Sequence, residues 1–323
     1  MFGLTFLSAT SKTTTHRVVP FRMGKAFFAS VAGYVAGGND SGGNVSGIDK
    51  VSFPADSKTT LSATLTTARN APAGFANSGV AGYSAGGYDT GQISGIDKVS
   101  FPADTKTTLS ATLTTARNGA AGFANSGEAG YVAGGNDAGG NISGIDKVSF
   151  PADSKTTLSA TLTTARSGCA GFANSGVAGY IAGGDDASRI SGIDKVSFPA
   201  DSKTTLAATL STARSTPAGF ANSGVAGYSA GGYDGTPYVS GIDKVSFPAD
   251  SKTTLSATLT SARSSAAGFA NSGVAGYSAG GIGATNFSGI DKVSFPTDTK
   301  TTLSATLTTA RNTARAFADS GTL

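Results

Sequence analysis

The residue types that most often catalyse reactions or bind transition metals are nearly absent from this chain of 323 residues. One His (His16) and one Cys (Cys169) cannot form a Cys/His zinc site or a disulfide framework, and they disfavour a Ser-His-Asp or Cys-His catalytic centre. The remaining candidates are Asp, Lys, Arg and Tyr, and nearly all of the charged ones recur at the same position of an internal repeat. Because catalysis needs a unique group of residues with altered pKa values, the sequence predicts no enzyme, no metal site and no cofactor.

Three motifs recur in the same order along the chain. Gly-Tyr-x-Ala-Gly-Gly is followed by Gly-Ile-Asp-Lys-Val-Ser-Phe-Pro, and each unit ends in Thr-Ala-Arg or Ser-Ala-Arg. The tyrosine of the first motif is found at intervals of 48 or 49 residues, as Tyr34, Tyr83, Tyr131, Tyr180, Tyr228 and Tyr277. A fixed period of this length is typical of repeat architectures.

Each repeat is predicted to contain four short strands, named a to d. In the second repeat these span Ala73–Asn77, Ala81–Ala85, Ile96–Phe101 and Thr108–Ala116. Asn-Ser-Gly and Gly-Gly turns separate the first three strands, and Pro102 ends strand c because proline cannot donate to a β-ladder. No segment shows a sustained period of 3.6 residues, so the chain is predicted to be all-β. Four strands in a repeat of about 48 residues are typical of a β-propeller blade.

The repeat resembles that of the kelch family of propellers. Gly37-Gly38, Phe53 and Arg69 match the kelch glycine pair, aromatic residue and arginine, whereas an aliphatic residue near Leu61 or Leu65 stands at the kelch tryptophan position. The segments 57–69 and 82–87 are also similar to repeats found in virion proteins of tailed cyanobacterial phages. This resemblance implies kelch-like blades and a place in the fibre or tail of a virion.

The two ends of the chain are predicted to complete the ring. Six near-identical repeats occupy residues 22–311; residues 1–21 resemble strands c and d, and the segment 315–321 within residues 312–323 resembles strand a. Joining the ends would remove exposed sheet edges. The sequence therefore favours a single propeller domain over residues 1–323 with seven blades, the seventh a composite of both ends, and six blades are the alternative.

The repeats differ mainly in two segments, the b–c loop after Gly-Gly and the d–a link after the arginine. Because strands alternate in direction across a blade, both segments are expected on one face of the disc. Loops on a rigid scaffold often carry recognition, and carboxylates beside aromatic rings suit polar ring-shaped ligands such as glycans. The alternative is that these residues only form turns and vary freely. The candidate binding residues are Asp40, Tyr88, Asp89, Asp137, Asp185, Asp186, Tyr233, Asp234, Tyr238 and Phe287.

The charge pattern limits the possible partners. The net charge is +4, and Lys, Arg and Asp alternate in every repeat instead of clustering as they do in nucleic-acid binders. No apolar stretch reaches the roughly 20 residues that span a bilayer, and Met1–Ala9 has no basic segment before it, so neither membrane insertion nor a signal peptide is expected. The repeated charged residues are expected to hydrogen-bond within or between blades.

The resemblance implies a structural or adhesion protein of a phage virion, assembled in the host cytoplasm. Its partners would then be other virion proteins and host-surface glycan, and the alternating repeat length is compatible with a symmetric oligomer. The alternative from a different class is an intracellular kelch-like protein-interaction or lectin-like binding module.

Overall fold

The computed structural model describes residues 32–236 and 238–319. Its strands in the first half are β1 (Ala32–Ala36), β2 (Asn39–Asp40), β3 (Gly43–Asn44), β4 (Ile48–Ser52), β5 (Ser57–Thr60), β6 (Ala73–Asn77), β7 (Ala81–Ala85), β8 (Ile96–Ser100), β9 (Thr105–Thr108), β10 (Ala121–Asn125), β11 (Ala129–Ala133), β12 (Asn136–Asp137), β13 (Gly140–Asn141), β14 (Ile145–Ser149) and β15 (Ser154–Thr157). Those of the second half are β16 (Ala170–Asn174), β17 (Ala178–Ala182), β18 (Ile193–Ser197), β19 (Ser202–Thr205), β20 (Ala218–Asn222), β21 (Ala226–Ala230), β22 (Gly241–Ser246), β23 (Ser251–Thr258), β24 (Ala267–Asn271), β25 (Ala275–Ala279), β26 (Ile290–Ser294), β27 (Thr299–Thr302) and β28 (Arg315–Ala318).

The described residues form six four-stranded antiparallel sheets, and each sheet is one blade of a β-propeller. Blade 1 has the strand order β28-β1-β4-β5, and blades 2 to 6 begin with β6, β10, β16, β20 and β24 as strand a. Each strand a packs against the strands a of its two neighbours, so the six close into a ring around a central axis. The all-β propeller of four-stranded blades that the sequence predicts is therefore confirmed.

Glycine allows the innermost strands to approach each other closely. A Cβ atom on Gly122 of blade 3 would lie 2.2 Å from the carbonyl oxygen of Gly74 in blade 2, and the next three blades repeat this contact. The second residue of strand a must therefore be very small, and the strands pack backbone to backbone about the axis.

Aromatic rings fill the space between blades further out. Phe75 and Tyr83 of blade 2 stack with centroids 5.0 Å apart, and Phe150 of blade 3 stacks on Tyr83 at 5.2 Å. The Phe75 ring also covers Gly130 of blade 3, where a Cβ would overlap it. These contacts bury Phe75 and Tyr83 completely. Each blade thus supplies part of the next blade's hydrophobic core.

The favoured prediction of seven blades is wrong, and the six-bladed alternative is correct. Strand β28 pairs antiparallel with β1, with Phe317 opposite Tyr34, and so becomes strand a of blade 1. The C-terminal segment does resemble strand a, as the sequence indicates, but it completes an existing blade. The predicted strands within residues 1–21 lie outside the described residues.

The prediction for strand d is also wrong in its bounds. In blade 2 the strand is Thr105–Thr108, and residues 109–116 continue from it without regular pairing. The backbone N–H groups of Leu109 and Leu113 still donate hydrogen bonds to the carbonyl oxygens of Ile96 and Ser94. The two donors are four residues apart, whereas the two acceptors, at and just before the start of strand c, are only two residues apart. The alternation of Leu, Ala and Thr over 108–116 therefore belongs to an irregular segment that buries Leu113. Strands a and b match their predicted bounds, and strand c ends one residue early, at Ser100.

None of the described residues forms a helix that is long and apolar enough to cross a bilayer.

Candidate functional site: the variable face

The arginine that ends each repeat binds an aspartate of the next blade. Arg69 Nη2 donates to Asp97 Oδ2 at 2.7 Å and to the carbonyl oxygen of Ser84 at 3.1 Å, and both charged side chains are buried. Asp97 also accepts hydrogen bonds from the backbone N–H and the hydroxyl of Thr66 and from the hydroxyl of Thr108. Burial opposes ionisation of Asp97, but these hydrogen bonds and the charge of Arg69 outweigh it and lower the pKa. The equivalent pairs are Arg117–Asp146, Arg166–Asp194, Arg214–Asp243, Arg263–Asp291 and Arg311–Asp49.

A second polar cluster joins the blades near the c–d turns. The hydroxyl of Tyr83 donates to Asp153 Oδ1 of blade 3 at 2.8 Å, and Lys98 Nζ donates to Asp153 Oδ2 at 2.6 Å while lying 5.6 Å from the centroid of the Tyr83 ring. Asp153 adopts a left-handed conformation (φ 52°), which Asp tolerates better than most residues. Burial, followed by the hydrogen bond to Asp153, raises the pKa of Tyr83. All six junctions have this cluster, and the last one runs from Tyr277 and Lys292 to Asp56.

The repeated Arg and Asp side chains were expected to hydrogen-bond within or between blades, and the structure shows that they bond between blades. The repeated Lys and Tyr side chains do so as well. The carboxylates and tyrosine hydroxyls already bond to neighbouring blades, so a specific ligand is better sought where the repeats differ.

The b–c loops and the d–a links lie together on one face of the disc, here called the variable face. Backbone bridges join Asn70 of the first link to Tyr88 in the b–c loop of blade 2, and Ser215 to Tyr233 in blade 5. The a–b and c–d turns, whose sequences hardly change, form the opposite, uniform face.

A closed ring of backbone hydrogen bonds surrounds the axis on the variable face. The second residue of each link donates its N–H to the carbonyl oxygen of its counterpart in a neighbouring link, at distances of 2.6 to 2.9 Å. All six have positive φ values between 47° and 64°. In donor-to-acceptor order the ring runs Ala71, Thr313, Ser265, Thr216, Gly168, Gly119 and back to Ala71. The links therefore form a rigid base for the loops around them.

Four of the predicted aspartates stabilise their own turns. Asp40, Asp137, Asp186 and Asp234 each accept, through Oδ1, a hydrogen bond from the backbone N–H two residues further along. This is the turn-forming role that the sequence offered as the alternative to ligand binding. Backbone hydrogen bonds from Ser188 and Ala187 also lower the pKa of Asp186.

Three predicted residues come together on blades 4 and 5. The Tyr233 and Tyr238 rings lie 5.7 Å apart at 51°, and the guanidinium of Arg189 lies 4.7 Å from the centroid of the Tyr233 ring. Arg189 Nε is 3.5 Å from Asp185 Oδ2. We call Asp185, Arg189, Tyr233 and Tyr238 the tyrosine patch; all four are half-buried. Sequence reasoning missed Arg189, although it stands at the last loop position, where the other blades have Asn, Gln or Tyr.

The other predicted residues are dispersed around the face. Asn44 of blade 1 donates through Nδ2 to the backbone carbonyls of Tyr88 and Asp89, at 3.1 and 3.4 Å. The ring centroid of Phe287 in blade 6 lies 5.8 Å from the Arg263 guanidinium. This contact is separate from the tyrosine patch and from the contact of Asn44 with the loop of blade 2. Asn44 was also missed; it occupies the same last loop position as Arg189, which points towards the next blade.

Within residues 32–236 and 238–319, no three His, Cys, Asp or Glu side chains are arranged to hold a metal ion. No protein-family model matches the chain, and no curated protein matches it.

Proposed function

We propose that this protein is a recognition scaffold of a phage virion, associated with its fibre or tail, and that its variable face binds host-surface glycan or another virion protein. The observation that carries the proposal is the distribution of differences among near-identical repeats: they concentrate on loops and links that share one face. Loops on a rigid framework can change without altering the core, which suits binding more than catalysis.

The tyrosine patch is the part of this face best suited to a sugar. Two tilted tyrosine rings offer apolar surface to the C–H face of a pyranose, and the guanidinium of Arg189 and the carboxylate of Asp185 offer a donor and an acceptor to its hydroxyls. All four side chains remain partly accessible. Blades 4 and 5 are therefore the first place to test glycan binding.

The virion setting has a separate support. It rests on the kelch-like propeller blades together with the similarity of segments 57–69 and 82–87 to repeats of tailed cyanobacterial phages. The first measurement is mass spectrometry of gradient-purified particles, with copy number scaled to the major capsid protein. A few to tens of copies per particle is the expected result, and absence from particles while the protein is abundant in lysate would overturn the virion setting.

Binding by the variable face is tested by adsorption of the purified protein to host cells. We expect Tyr233→Ala and Asp185→Ala to reduce adsorption about tenfold or more, because aromatic and charged residues near the centre of a contact carry most of its energy. Val225→Ala is the matched control, because Val225 is exposed on the uniform face of the same blade. An equal loss of adsorption with Val225→Ala would contradict the assignment of binding to the variable face. Recovery of a soluble cellular protein on the variable face would instead favour the intracellular interaction module.

A further inference from the structure

The central axis ends at the variable face in a small cavity bounded by all six blades. Its volume is ≈ 30 Å³, which is sufficient for one water-sized occupant. Most of its wall consists of small, uncharged residues. Blades 1 to 6 contribute, among others, Arg315, Gly74, Ala120, Cys169, Pro217 and Ala266.

Arg315 breaks the sixfold pattern at this cavity. It is the first residue of strand a in blade 1, opposite Ala36 in the register, just as Ala73 is opposite Ala85 in blade 2. The same position is alanine in all five other blades: Ala73, Ala121, Ala170, Ala218 and Ala267. A guanidinium group therefore lines a cavity whose other lining residues are glycine, alanine, Cys169 and Pro217.

Within the described residues, Arg315 differs from the other arginines in having no carboxylate within 4.0 Å. The six repeat arginines and Arg189 all pair with aspartates. Arg315 instead donates to one backbone carbonyl, that of Ala314, at 3.3 Å.

Arg315 is half-buried at this cavity. Burial lowers the pKa of its guanidinium, which nevertheless stays charged at neutral pH. Burial also raises the pKa of the Cys169 thiol to about 11, so the thiol is neutral at pH 7 and supplies no compensating charge. A small anion beside the guanidinium would supply the negative charge that no neighbouring carboxylate provides.

We propose that the axial cavity binds one small monovalent anion of chloride size, held by the guanidinium of Arg315. The cavity has room for about one water-sized occupant, which favours a small anion over phosphate or sulfate. The anion would neutralise Arg315 at the point where the C-terminal strand joins the ring. This site is separate from the tyrosine patch and does not depend on the proposed function.

The direct test is ³⁵Cl NMR line broadening with the full chain, using chloride alone as the probe. We expect broadening by the wild type and at least about tenfold weaker binding by Arg315→Ala, because hydrogen bonds to charged groups contribute that much or more. Arg315→Ala installs the residue of the five equivalent positions, and Arg315→Gln is a second neutral variant of similar length. Arg189→Ala is the matched control, since it removes an arginine from the same face and should leave the broadening intact.

Thermal unfolding gives an independent measure of the same site. Replacing gluconate, which is too large for the cavity, with chloride at constant ionic strength should raise the midpoint of the wild type and of Arg189→Ala, but not that of either Arg315 variant. Absence of broadening with the wild type, or equal broadening and equal midpoint shifts with Arg315→Ala, would overturn the proposal.

Discussion

The junctions between blades and the loops of the variable face use the same residue types for opposite purposes. At a junction, Asp97 is buried and bonded to Arg69, Thr66 and Thr108, so its position serves two blades at once. In a loop, Asp137 accepts a hydrogen bond from Gly139 of its own turn. A side chain that satisfies two blades cannot change alone, whereas one that serves only its own turn can. The difference explains why the repeats are uniform at the junctions and varied on one face.

The largest expected effect comes from alkaline pH, which acts on all six junctions together. The junction tyrosines have raised pKa values, so they stay neutral in the folded protein while they ionise in the unfolded chain above about pH 10. Their contribution to stability is therefore complete below pH 10 and is lost as the pH rises further. For six groups the free energy of unfolding should fall by on the order of 8 kcal/mol per pH unit.

Absorbance at 295 nm and far-ultraviolet circular dichroism, recorded on the same pH titration, check this expectation. Ionisation of these six tyrosines should coincide with loss of the β-sheet signal. Their ionisation near pH 10 with intact circular dichroism would show that the junctions are not as closed as the fold implies.

The next largest effect is expected from removing one junction carboxylate. Asp97→Ala leaves Arg69 buried without its partner, and such a change typically costs about 3–5 kcal/mol. Asp89→Ala changes a half-buried aspartate in the b–c loop of the same blade, and it should cost less than about 1 kcal/mol. Urea denaturation of both variants measures the difference, and similar losses would remove the distinction between junction and loop.

A smaller effect is expected from removing a single hydroxyl at a junction. Tyr83→Phe keeps the stacked ring but loses the 2.8 Å hydrogen bond to Asp153, which should cost about 1.5–3 kcal/mol because the acceptor is charged. Tyr88→Phe removes a hydroxyl from the variable face and should change the free energy of unfolding by no more than about 0.5 kcal/mol. If thermal and urea denaturation find the two variants equally stable, the tyrosine–aspartate bond contributes little.

The smallest effect on stability is expected from exchanging whole loops. Tyr88–Gln92 and Asp185–Arg189 both contain five residues and connect the same two strands of their blades. Replacing residues 185–189 with the sequence of 88–92 should change the free energy of unfolding by about 0.5 kcal/mol or less while abolishing the tyrosine patch. Denaturation together with the adsorption assay checks both parts, and a large loss of stability would show that this loop supports the fold.

Much of the blade could be predicted from local sequence. Ala73–Asn77 and Ala81–Ala85 were predicted with the observed bounds, because Asn-Ser-Gly and Gly-Gly mark their ends. Strand d was predicted at 108–116 because apolar and polar residues alternate there as they do in a strand. The hydrogen bonds of this segment do not form a regular ladder, because donors four residues apart bond to acceptors two residues apart. The local sequence pattern therefore identified the turns, but it did not predict how the irregular segment after strand d pairs with its neighbour.

Features that depend on ring closure were harder to predict. The sequence showed that 315–321 resembles strand a, but only the pairing of Phe317 with Tyr34 shows which blade it completes. The partners of Arg69 and Tyr83 lie in the next repeat. The sequence predicted hydrogen bonds of the repeated charged residues within or between blades, but it did not identify these partners. Arg315 did leave a signal, since alignment of the C-terminal segment with strand a shows an arginine where five repeats have alanine.

The glycine at the second position of strand a has a consequence for how such a gene changes. Near-identical tandem repeats favour unequal recombination, which adds or deletes one unit at a time. A gained unit would widen the ring, and the backbones that now touch beside Gly74 and Gly122 would separate with no side chain to fill the gap. A lost unit would force together strands that leave no room for a Cβ atom at five of the six positions, the sixth being Ala316. The packing at the axis therefore favours six units, whereas the loops can diverge without changing it.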